Sequence, residues 1–454
     1  MDAITKFSRL PHKVRFWLCP AAALVGSFAA GMAAFWSPGI AHSFFYSLLG
    51  VAVVLALLIY PEVALALYVV IGDLKGDEHI AALLPVDLTL ALGALLLIGI
   101  ALNLLRHKPI VKMPAPYFLF IALVAIMTAS LTYTPVFDAG LEKLGRFLTV
   151  TGVVIVAPFF LLATRRQTVR FFASFAVAAF AICAWSLFAL GGSERLVTPS
   201  NNTIGLGHIA CALILIVWFA VLPCFSFPQR LFAYPLLFVP VLALIGSGSR
   251  GPAIACALVI FGSIVLCRSR IRDLVCVVAL GSAILPFARI PGSAIQYLGT
   301  LISSRSVSGL LSFRYDLLEY GWRLLQQHPL LGTGIQGFRY YSPNPELYKW
   351  PHNIFLEIAC ELGIPAALIA CAIFAAAVAE AIRQLRDTVS PIFPLSQLAA
   401  ALLVAGIVNA TNTGDINSDR LTWLFLSLVF VMRGVRMRES DSREMLVETL
   451  PAPA

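Results

Sequence analysis

A chain of 454 residues that is 60% hydrophobic and 12% charged, with a mean hydropathy of +0.90, is not a water-soluble protein. Repeated apolar runs of roughly 18 or more residues make it an all-α polytopic membrane protein. Its net charge of +9 reads as Lys and Arg in loops between spans, a topology signal, and gives no reason to invoke nucleic acid.

In chain order, Lys6, Arg9, Lys13 and Arg15 precede the apolar run Phe16–Trp36, which is long enough to stay as a signal-anchor-like first helix. Further spans are predicted over 41–60, 61–73, 84–105, 115–134, 145–163, 168–190, 207–224, 231–247, 252–267, 272–290, 352–380, 393–411 and 421–433. That is twelve to fourteen in all. The third is short and starts at Pro61, so it is a half-helix or a kinked continuation of the second. With the N-terminus cytoplasmic, most of the 32 Lys and Arg fall in cytoplasmic loops. Both termini are then inside, and the long 291–351 segment faces outward, toward the periplasm of a Gram-negative cell. The chain thus divides into an N-terminal bundle (1–290), an outer loop (291–351), C-terminal spans (352–438) and a polar tail (439–454) expected to be disordered.

The outer segment carries the polar chemistry. Arg314–Gln327 reads as an amphipathic helix, with Asp316, Glu319, Tyr320, Arg323 and Gln327 on one face. Phe313, Leu317, Leu318, Leu324 and Leu325 lie on the other. Pro329 ends it, and Gly332, Gly334 and Gly337 make a turn-rich link. SPNPELYKWP is too rich in proline for helix, and His352 opens the next long helix at the membrane surface.

Few residues there suit catalysis. Arg250, in GSGSRGP, and Arg314 each sit beside an apolar span at its outer end. A guanidinium binds a diphosphate bidentately and stays charged at any working pH. Snorkelling, or an ion pair with Asp316 or Glu319, would explain them equally well. His352 can accept a proton from a sugar hydroxyl, its unperturbed pKa being roughly 6.5; an ordinary headgroup-zone histidine is the plainer alternative. Asn353 and Glu357 share its helical face. His328 is a helix-end residue, His208 packs or caps, and His12, His42, His79 and His107 sit in short loops. The first outer loop, SPGIAHS, has no acid, and Asp73, Asp77 and Glu78 read as a solvated turn, so no metal is expected. The nine Cys form neither CxxC pairs nor Cys/His patterns and read as free packing thiols.

RYDLLEYGWRLLQQHPLLGTGIQGF, followed by PHNIFLEIACELGI, resembles the signature region of the O-antigen ligase and O-antigen polymerase superfamily, whose fold is glycosyltransferase C-like. GSGSRG resembles that superfamily's other Arg-bearing turn, and NNTIGLG leans toward the ligases. The resemblance implies that Arg250 and Arg314 grip the diphosphate of an undecaprenyl-diphosphate glycan and that His352 is catalytic, with no cofactor. Arg195 and Arg146 are weaker phosphate candidates, since no motif surrounds them. The implied acceptor is lipid A–core for a ligase, or a growing glycan for a polymerase of O-antigen or exopolysaccharide. The implied place is the inner membrane, among its lipids, with the site facing the periplasm.

A lipid-linked glycan flippase or other transporter is the alternative of another class. Such proteins need ionisable groups deep in their spans. Here the spans hold almost none, and charge gathers at the outer surface.

Overall fold

The structure is a computed structural model that describes residues 50–74, 87–188, 196–266, 269–284, 304–346, 348–388, 390, 392–412 and 415–449. The spans expected at 16–36 and over most of 41–60, the first outer loop, Asp77, Glu78, Arg195 and residues 285–303 lie outside these. The chain forms two compact units, 1–61 and 62–454. Of the first, the described part is the helix α1, Gly50–Ile59.

The second unit is helical throughout its described residues. It runs through α2 (Pro61–Val70), α3 (Leu88–Leu105), α4 (Tyr117–Ser130), α5 (Phe137–Leu161), α6 (Arg165–Phe188) and α7 (Thr203–Cys224). Then come α8 (Phe227–Ala233), α9 (Pro235–Ser247), α10 (Arg250–Leu266), α11 (Ser269–Ile284) and α12 (Ser304–Gln327). The last are α13 (Gly337–Tyr341), α14 (Ile354–Arg386), α15 (Phe393–Asn412) and α16 (Arg420–Thr449). Among the described residues, α3, α5, α6, α7, α14 and α15 are each long and apolar enough to cross a membrane. α8 and α9 form one broken span bent by 46°, at the Pro235 that opens α9. α4 and α10 are shorter apolar helices.

The helix ends sort into two faces, as alternate crossing demands. At one face meet Asp73, the α4–α5 turn, residues 196–203, the α9–α10 turn, α12 with its following loop, and residues 411–420. We call this the site face. At the other, the α3–α4 link joins the end of α5, α8 joins α11, and Arg436 joins Asp387.

α15 is the axle, packing on α7, α10, α14 and α16. Its run of alanines lets neighbouring backbones approach closely. Beneath the site face the buried Trp423 is ringed by Phe120, Phe147 and Phe374, with centroids 5.6, 6.0 and 5.5 Å away. Its indole N–H donates to the Ile416 carbonyl at 3.0 Å, so the aromatic core fixes the loop above it.

Three expectations are corrected. The amphipathic helix begins at Ser304, earlier than expected, and its two faces depart from expectation at Leu318 and Tyr320. Leu317, Gly321, Leu324 and Leu325 are buried, Leu318 is exposed, and Tyr320 packs edge-on to Phe338 and Tyr348. The long helix opens after His352: Asn353 caps it by accepting from the Leu356 N–H at 3.1 Å. The expected disordered tail continues α16 as helix through Thr449.

Candidate functional site

The turn after α12 is built onto a break in α14. Pro365 has no N–H, and Gly363 is non-helical (φ 85, ψ 171), so the carbonyls of Cys360 and Glu361 lose their helical donors. The turn supplies replacements. Thr333 N–H donates to Cys360 O and Gly334 N–H to Glu361 O, both at 2.9 Å, while Ile364 N–H donates to Pro329 O at 2.8 Å. Glycine is required on both sides of this contact. A Cβ at Gly332 would come within 2.3 Å of the Glu361 backbone, and one at Gly363 within 2.1 Å of Leu330 O.

The same contact sets a buried charge cluster. Lys143 of α5, only 8% exposed, lies 2.6 Å from Glu357 and 2.7 Å from Glu361 of α14. Glu361 also accepts from the Gln336 N–H at 3.0 Å, and Glu357 from the Ile416 N–H at 3.0 Å. Asn417 donates to the Lys143 carbonyl at 2.9 Å. Three separate segments are thereby locked together, and each carboxylate has a cation and a donor, the condition under which burial of charge is tolerable. These groups lie within two to three helical turns of Asn353. They correct the reading that the spans hold almost no ionisable groups, since the charge reaches below the surface. A π-helical turn, Phe147–Thr151, follows directly in α5, a wide turn of the kind found at functional sites.

Above the cluster opens a polar cavity of about 230 Å³. Its lining is Ala139, Glu142, Lys143, Arg146, Gln336, Arg339, Lys349, Trp350, Glu357, Asp415 and Asn417. Much of the lining pairs its own charges: Arg146 with Glu142 at 2.5 Å, Arg339 with Glu346 at 2.8 Å, and Lys143 as above.

His352 is joined to this cavity through Trp350, which lines it. Its backbone is left-handed (φ 55), a conformation uncommon outside glycine. Trp350 Nε1 donates to His352 Nδ1 at 3.2 Å. The neutral ring therefore carries its proton on Nε2 and keeps its lone pair on Nδ1, under the indole. Burial, with help from the Arg314 cation, pushes the His352 pKa down to about 4, against a smaller opposing pull from Asp415. Arg314, His352 and Asp415 thus share one electrostatic neighbourhood. Close by, burial raises the Asp419 carboxyl to about 7 despite bonding from Thr422, with Asp415 adding to the rise. Asp419 is only 1% exposed.

Arg250 opens α10 at the same face, after the left-handed Gly248 (φ 64). Its turn is anchored by Ser249, which donates to the Thr203 carbonyl at 2.9 Å. α10 and α14 both pack on α15, and Arg250 and His352 lie at the site-face starts of those two helices. Arg146 lines the cavity and Arg195 lies outside the described residues. Lys143, Asp415, Asn417 and Asp419 escaped the sequence reading. The one available signal was a Lys on the short polar helix start FDAGLEK, preceding an apolar span.

Residues 235–371 match the model of a family described as O-antigen ligase. The match supports the O-antigen ligase superfamily that the motifs suggested, and with it a membrane protein of the ligase and polymerase type that processes glycans. No curated protein matches the chain.

Proposed function

We propose that the protein is an inner-membrane glycosyltransferase that moves a glycan from undecaprenyl diphosphate to a sugar hydroxyl, acting as the ligase that joins O-antigen to lipid A–core. One observation carries this reading: the matched stretch, 235–371, contains Arg250, Arg314 and His352. The electrostatic influence of Arg314 on His352 and the bond from the cavity-lining Trp350 to His352 support it.

Arg250 and Arg314 hold the diphosphate and stabilise the charge that develops on it as the glycosidic bond breaks. The acceptor hydroxyl gives its proton to His352 Nδ1, and its oxygen attacks the anomeric carbon from the side opposite the diphosphate. The electron pair of the broken C–O bond leaves with the diphosphate, and the configuration inverts. Burial and the Arg314 cation lower the His352 pKa to about 4, so the imidazole is neutral at working pH and a weaker base than a free one. The Trp350 N–H must leave Nδ1 for this step, so acceptor arrival and base release are coupled. No step calls for a metal ion, because the arginines carry the leaving-group charge.

The test is transfer by the purified full-length protein in nanodiscs, from lipid-linked glycan to lipid A–core, without ATP and with EDTA. Product is expected. Dependence on ATP, or glycan movement across the bilayer without transfer, would replace the enzyme with a transporter.

A further inference from the structure

We infer that the cavity above Lys143 is the acceptor subsite, seating a single uncharged, hydroxyl-rich sugar ring against Trp350 next to His352. This rests on the transferase reading for its role, and on the cavity's own chemistry for its ligand.

Size comes first. About 230 Å³ is below the ~300–1,000 Å³ of pockets for drug-sized ligands, enough for one ring and too small for an oligosaccharide. Charge comes second. The cavity sets the carboxylates of Glu142, Glu357 and Asp415 against the cations Lys143, Arg146, Arg339 and Lys349, and neither Arg250 nor Arg314 lines it. Each of these four cations has a carboxylate within 4 Å, Lys349 the most distantly at 3.9 Å from Glu346, so the lining asks little net charge of a ligand. Donor type comes third. Gln336, Asp415 and Asn417 offer planar polar side chains that can bond a ring's hydroxyls from several sides. Trp350 supplies the apolar surface on which the C–H face of a pyranose packs.

Trp350 is also what connects this cavity to the chemistry. It lines the cavity and bonds His352 through its indole N–H. A ring stacked on it comes to rest beside the imidazole, where an acceptor hydroxyl has to be.

The experiment uses full-length protein in nanodiscs and reads binding of free glucose, galactose and N-acetylglucosamine by saturation-transfer NMR, with no donor present. Binding is expected in the wild type and in Trp350→Phe, which keeps an aromatic surface. It should fall at least tenfold in Trp350→Leu and in Asp415→Asn. The latter retains the oxygen that accepts from the Ser418 N–H, so a folded protein is expected; a thermal melt on every variant checks this. Equal binding in all folded variants, no binding in the wild type, or binding of phosphorylated sugars alone overturns the subsite. A wild type that binds these sugars as expected yet transfers nothing overturns the transferase reading and leaves the subsite standing.

Discussion

The two faces of the bundle both set cations on buried carboxylates, Glu62, Asp273 and Glu380 at one and Glu357 and Glu361 at the other, but to different ends. At the face away from the site, arginines tie helix ends together. Arg438 donates to the carbonyls of Ala163 and Ile110, Arg230 forks onto Asp273 at 2.9 and 3.0 Å, and Arg170 meets Glu62 at 2.9 Å. These contacts satisfy carbonyls and anchor spans at a headgroup boundary. At the site face, a lysine and two glutamates are buried under an open polar cavity. Three of the four non-glycine left-handed residues among the described ones, Asn201, Gln336 and His352, stand there too. One end spends its charge on holding the fold. The other also buries charge, and sets above it a polar cavity and three left-handed non-glycine residues, a combination suited to binding or reaction.

The sharpest way to break that contrast is at His352. His352→Ala should lower transfer by about 10² to 10⁴-fold, the usual contribution of a general base, with donor binding largely intact. His352→Gln should be nearly as inactive. Simultaneous loss of donor binding would make His352 a packing residue, and an active Gln variant would send the proton elsewhere.

Next in size is the buried cluster. Lys143→Met strands Glu357 and Glu361 and should cost about 3–5 kcal/mol of stability, as for a broken buried ion pair. Arg383→Met removes the exposed partner of Glu380 at the other face; the buried Glu380 keeps Arg433 at 3.5 Å and the bond from Gln384, so the change should cost about 0–1 kcal/mol. Thermal unfolding of the two variants side by side measures the contrast. Similar losses would mean that the two faces do not differ in kind.

What was legible in the sequence follows the same division. Spans, their alternation and the turn chemistry rest on local signals: apolar length, Lys/Arg placement, and the prolines and glycines of HPLLGTG. Arg314 and His352 lie in one dense motif region, which made them visible. Lys143 lies more than 200 positions before Glu357, and only the packing of α5 on the α14 break joins them. Residues 415–419 looked like an ordinary polar loop, because nothing local announces a carboxylate beneath it accepting the Ile416 N–H. Among the described residues, the departure of α12 from its expected faces is confined to Leu318 and Tyr320. Tyr320 was counted as polar by its hydroxyl, whereas its ring packs among Phe338 and Tyr348.

A smaller effect is expected at the arginines. Arg250→Lys and Arg314→Lys keep the charge and lose the fork, so transfer should fall by about 10–100-fold, in line with one or two charge-assisted hydrogen bonds. Donor affinity, measured separately, should fall with it. Wild-type rates in both variants would remove diphosphate binding from these residues.

The smallest expected effect is the most discriminating, because two groups at the site face could take the proton and their acidities differ. His352 is held near 4 by burial and the Arg314 cation, and Asp419 is raised to about 7 mainly by burial. The acid limb of kcat/KM reports the base in the free enzyme. Each base works only when deprotonated, so activity falls as pH drops through its pKa. With His352 as base, kcat/KM should stay flat from pH 8 down to about 5 and decline only below that. With Asp419 as base, it should fall tenfold per unit below about 7. Asp419→Asn separates the two again: it should leave the profile unchanged in the first case and abolish transfer in the second. We expect the flat profile, since His352 is partly exposed and bonded to the cavity-lining Trp350 while Asp419 is only 1% exposed, and a base has to reach the hydroxyl it deprotonates.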